Sequence, residues 1–98
     1  MRRFFNVMQG PNLNDMDFTT IQNARADVVG ELEAIIQYAN HLRQTDKLSA
    51  QLTINDIMRE EEVHVGELMA LLFKLDPKFK THFDKGVQEF NERLTRNQ

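Results

Sequence analysis

The 98-residue chain reads as all-α: an antiparallel two-helix hairpin and a short C-terminal helix, pairing with a second copy into a four-helix bundle. Three observations predict this. Two long stretches, residues 17 to 44 and 48 to 75, contain no proline and a single glycine each. Both carry apolar residues at alternating steps of three and four, the spacing that lays one stripe along a helix. The break between them is only three residues, Thr45, Asp46 and Lys47, which forces the helices to fold back on one another.

Taking the elements in order, residues 1 to 16 hold Gly10, Pro11 and the asparagines Asn6, Asn12 and Asn14 with no period of 2 or 3.6. They predict a flexible N-terminal arm outside the core, leaving 17 to 98 as one helical domain. Asp17 or Thr19 offers a helix N-cap, and the first helix then runs to about Gln44. The second runs from Leu48 to Leu75, where Asp76-Pro77 stops it, because proline lacks a donor and disfavours helix in the residue before it. A third helix is expected from about Pro77 to Leu94, with Phe79, Phe83, Val87 and Phe90 along one side.

Composition narrows what such a protein does. A formal net charge of -3 with twelve dispersed Lys and Arg provides no basic stripe, which argues against nucleic acid as a partner. The absence of cysteine excludes disulfides, thiolate metal sites and cysteine nucleophiles, so a metal would be held by oxygen and imidazole nitrogen. No readable export signal or apolar span of about 20 residues is present, so the expectation is a cytoplasmic protein without a membrane partner.

The seams carry the functional signal. On the first helix, positions 21, 24, 28, 31, 35, 38 and 42 read Ile, Ala, Val, Glu, Ile, Tyr, Leu. On the second, positions 54, 57, 61, 64, 68, 71 and 75 read Ile, Ile, Glu, His, Leu, Leu, Leu. With the turn at Asp46, Glu31 lies 15 residues before it and Glu61 15 after it, so both stand about 22 Å from the turn at 1.5 Å per residue. His64 lies one turn beyond Glu61 on the same face. Two level carboxylates on apolar seams repel each other and are costly to desolvate, and neither seam holds Lys or Arg to offset them. A bound cation is the simplest compensation. Two oxygens and an imidazole suit iron, manganese or zinc. Iron is favoured, because di-iron carboxylate bundles take a Glu from each of two helices and Glu-x-x-His from each of the other two. One hairpin supplies half of that set, and a two-fold homodimer supplies all of it.

At GELEAIIQY (residues 30 to 38) and REEEVHVGE (residues 59 to 67) the chain resembles the encapsulated ferritins, short ferritin-like proteins carried inside encapsulin shells. The resemblance implies a ferritin-like four-helix bundle with Glu31, Glu61 and His64 as iron ligands. It also implies Tyr38 as an aromatic residue beside the ferroxidase centre and Glu33 as a carboxylate that guides iron inward. The implied activity is oxidation of ferrous iron by oxygen at a di-iron site shared between subunits, for iron storage or detoxification, with the dimers arranged in a ring and held within an encapsulin nanocompartment. Two positions and one segment depart from the family pattern: Gly30 stands where the family often has an acidic residue, Gln37 replaces an aromatic one, and ERLTRNQ does not look like the usual shell-docking peptide.

Read without that resemblance, two other functions fit the same residues. One is a helical oligomerisation or cargo module whose buried Glu and His only fix register. The other is a peroxide reductase of the rubrerythrin kind. Tyr38 fits a core tyrosine as well as it fits a catalytic one, and Glu33 by itself reads as surface. His41 and His82, off both seams, carry no expected role.

Overall fold

The computed structural model describes residues 15 to 97, so the expectation of a flexible arm falls largely on residues outside it. Three helices follow one another: α1 (Asp15–Gln44), α2 (Leu48–Leu75) and α3 (Pro77–Arg96). α1 already includes Asp15, the first described residue, so it runs through the expected caps Asp17 and Thr19, and Asp15 and Asp17 lie in its first turn, where carboxylates meet the positive end of the helix dipole. α3 extends two residues past the expected Leu94.

The loop is as short as the sequence requires. Lys47 has an extended backbone and no capping side chain, and the bond that closes the turn comes instead from Gln51, whose Nε2 donates to the Thr45 carbonyl at 3.1 Å. The junction between α2 and α3 is built on Asp76. Its N–H closes α2 on the Leu72 carbonyl at 2.8 Å, and its Oδ1 accepts from the Phe79 N–H at 3.2 Å, capping α3. Pro77 occupies the first turn of α3, where a missing N–H costs nothing. Arg25 ties the junction to α1, its Nη2 reaching Asp76 Oδ2 at 3.4 Å while Nη1 donates to Gln22 Oε1 at 2.6 Å.

The core lies at the open end of the hairpin, away from the loop. Ile21 and Ala24 of α1 meet Leu72 of α2, with Val28, Met69, Leu75 and Phe79 around them. Here the seam drawn from the sequence slips by one residue. Leu72 is 3% exposed whereas the expected Leu71 is 42% exposed. A strict seven-residue stripe drifts by about 20° per heptad around a straight helix, and by the third heptad the next residue has come to the front. The same drift turns His64 to the rim, with 46% of its side chain exposed.

Little of the chain is enclosed. Its radius of gyration is 18.3 Å, against about 13 Å for a compact domain of this length. α3 begins over the hairpin through ring contacts among Phe73, Phe79 and Phe83, with centroids 5.1 to 6.1 Å apart. Val87, Phe90 and Leu94 beyond them lie exposed, as do Val29, Leu32 and Ile36 on α1. Two helices bury little area against the entropy of ordering them, and these apolar surfaces stay uncovered in the single chain.

Candidate metal centre

Glu31 comes from the middle of α1, Glu61 and His64 from the middle of α2, and the short loop holds the two helices in register. The three side chains offer donor atoms that all lie within 4.8 Å of one another. His64 Nδ1 is 3.6 Å from Glu31 Oε2 and 3.7 Å from Glu61 Oε2. Both separations exceed a hydrogen bond, so the imidazole approaches both carboxylates and bonds to neither. Donors about 2.1 Å from a common ion stand roughly 3 to 3.5 Å apart, so His64 is already near the spacing a metal would impose.

Glu31 makes the strongest case. Its Oε2 is buried and has no hydrogen-bond partner, while Glu31 and Glu61 are otherwise only 24% and 19% exposed. An anionic oxygen removed from water without a donor costs free energy that a neighbouring cation returns. Arg25 of α1 does not supply that cation, being engaged at Asp76. Two carboxylate oxygens and one imidazole nitrogen form a set that fits iron, manganese or zinc. Three donors on one side fill only part of any such coordination sphere, and the exposed flank of His64 is where the remainder would enter.

The other two predicted residues stand apart from this group. Tyr38 lies seven residues along α1 from Glu31, about 10 Å of helix rise, with its ring edge against His41 at a centroid distance of 6.4 Å. That contact was not anticipated from the sequence, although an i, i+3 spacing on a helix would have indicated it. Glu33 is exposed, and two residues of helical rotation place it on the side of α1 opposite Glu31.

No family model matches the chain. It is 38% identical over 68 residues to a ferritin-like-encapsulin shell fusion protein of Pyrococcus furiosus, covering 69% of this chain and 20% of that protein. It is 30% identical over 74 residues to the encapsulin nanocompartment cargo protein EncC of Myxococcus xanthus, covering 76% and 57% respectively. The chain thus spans a fifth of the first relative and just over half of the second. Among solved structures, the crystal structure of the encapsulated ferritin domain from Pyrococcus furiosus superposes with a TM-score of 0.76 at 30% identity, covering 85% of this chain and 94% of that one.

Proposed function

The chain belongs to the encapsulated ferritin family, and on that premise we propose that it is a ferroxidase, oxidising Fe(II) to Fe(III) with oxygen at a di-iron site shared between two copies. The observation that carries this reading is the convergence of Glu31, Glu61 and His64 around a carboxylate oxygen that no protein group satisfies.

A two-fold axis beside His64 brings four carboxylates and two imidazoles together. The four negative charges then balance two ferrous ions, which are the substrate, and each ion surrenders one electron to oxygen. The chain's own contribution is positional. Seams on two helices fix the carboxylates before iron arrives, so little reorganisation accompanies binding. The imidazoles, at the rim, leave positions open for oxygen. Leu32, one residue from Glu31 and exposed on α1, offers apolar contact to the second copy, whereas Val29 and Val63, two residues from Glu31 and Glu61, face away from the seam. Tyr38 and Glu33, which stand apart from Glu31, Glu61 and His64 within one chain, are proposed on the family pattern alone as the aromatic neighbour of the shared site and as a carboxylate on the approach path.

The two curated relatives are named for an encapsulin shell and its cargo, which supports residence inside such a shell in the cytoplasm. Among the described residues no helix is long and apolar enough to cross a membrane.

Anaerobic addition of Fe(II) to the protein and to Glu61→Ala, followed by air, tests the reading. One iron per subunit and rapid oxidation, both lost in Glu61→Ala, are expected. An assembled protein that binds no iron overturns it.

A further inference from the structure

We infer that His41 is a positioning residue: its imidazole packs edge to face with the ring of Tyr38 and holds that phenol in one orientation for the iron reaction. The inference rests on the proposed placement of Tyr38 beside the shared site. The two rings meet at 74° with centroids 6.4 Å apart, within the range over which the positive edge of one aromatic ring is drawn to the negative face of another. Both residues belong to α1 at a spacing of i, i+3, so the pair forms wherever that helix forms.

Direction gives the contact its use. Aromatic side chains on a helix lean back toward its N-terminus, which carries the phenol from the Tyr38 backbone toward Glu31 and lays His41 over it from the loop side. The residues three and four places from Tyr38 are Ala34 and Ile35 on the side of Glu31, and His41 and Leu42 on the side of the loop. Of these four, His41 alone is aromatic, and it alone is exposed. It therefore covers the solvent side of a half-buried ring whose other helical neighbours are aliphatic. Among the described residues no hydrogen bond ties down the Tyr38 hydroxyl, so packing alone sets the ring's rotamer. Without the imidazole that side of the ring borders water, and the phenol exchanges among rotamers.

Composition makes the ring directly observable. Tyr38 is the single tyrosine and the chain has no tryptophan, so the tyrosine band of the near-ultraviolet circular dichroism spectrum comes from this residue alone, the phenylalanines absorbing at shorter wavelength. Such a band is strong while an aromatic ring is fixed and fades when its packing is lost.

The full chain is compared with His41→Ala, His41→Phe and Tyr38→Ala, each checked for unchanged helix content. The band is recorded on iron-free protein, and Fe(II) is then added without oxygen, its binding measured, and air admitted. In His41→Ala the band should fall by about half or more, Fe(II) bound per subunit should stay the same, and oxidation should slow by about twofold to tenfold, the rate equivalent of one edge-to-face pair. His41→Phe, which keeps a ring but no nitrogen, should restore both band and rate. An undiminished band in His41→Ala overturns the inference. So does a wild-type rate in His41→Ala where Tyr38→Ala is slow, or a His41→Phe variant as slow as His41→Ala, which would assign the effect to the nitrogen instead of the ring. Should the band fall in His41→Ala while Tyr38→Ala oxidises iron as fast as wild type, His41 still fixes the ring and the placement of Tyr38 at the shared site falls. Should the band fall while no protein in the set binds iron, the contact stands and the ferroxidase reading falls.

Discussion

His64 Nδ1 stands 3.6 Å from Glu31 Oε2 across the hairpin and bonds to neither Glu31 nor Glu61. Both carboxylates thus face one imidazole nitrogen without closing a hydrogen bond to it, and several measurements follow from that.

Glu31→Gln replaces a charge that has no partner at Oε2. Without metal it should raise stability by about 1 kcal/mol, since a neutral amide is cheaper to bury than an unpaired carboxylate. Zn(II), a redox-silent probe, should raise the melting temperature of wild type and leave Glu31→Gln unmoved. Thermal unfolding followed by circular dichroism at one fixed protein concentration checks both signs.

His64→Ala should preserve helix content, because the side chain is half exposed and packs little. Its Fe(II) affinity should fall by at least tenfold, about 1.4 kcal/mol. Anaerobic calorimetry reads the affinity directly, and wild-type affinity in the variant would remove His64 from the ligand set.

Leu72→Ala should cost about 2 to 5 kcal/mol by opening a cavity among Ile21, Ala24 and Met69. Urea denaturation at matched concentration measures it. A loss below about 1 kcal/mol would mean that the hairpin core contributes little and that contacts between copies dominate.

Asp76→Ala removes the α3 cap, about 1 kcal/mol, and an Arg25 pair worth at most about 1 kcal/mol at this exposure. Hydrogen exchange should quicken at residues 77 to 81 and stay unchanged near Glu31 and Glu61.

The hairpin and the approach of Glu31 to Glu61 and His64 were legible because their signals are local. Thr45 to Lys47 sets the fold-back, Pro77 sets the break, and counting outward from Asp46 places Glu31 beside Glu61. What escaped depends on real helix pitch or on distant contacts. Leu71 was read where Leu72 is buried because a 3.5-residue count accumulates error that no single residue reveals. The Arg25–Asp76 pair joins residues 51 positions apart and has no periodic signature.

The equal distance of Glu31 and Glu61 from Asp46 makes the hairpin a ruler with its zero at the loop. One residue added to either arm between loop and carboxylate turns that carboxylate by 100° and carries it 1.5 Å along the axis, away from its counterpart. Length can therefore change in the loop or at the ends at little cost. Within the arms it can change only in matched blocks of about seven residues, two full turns on each side.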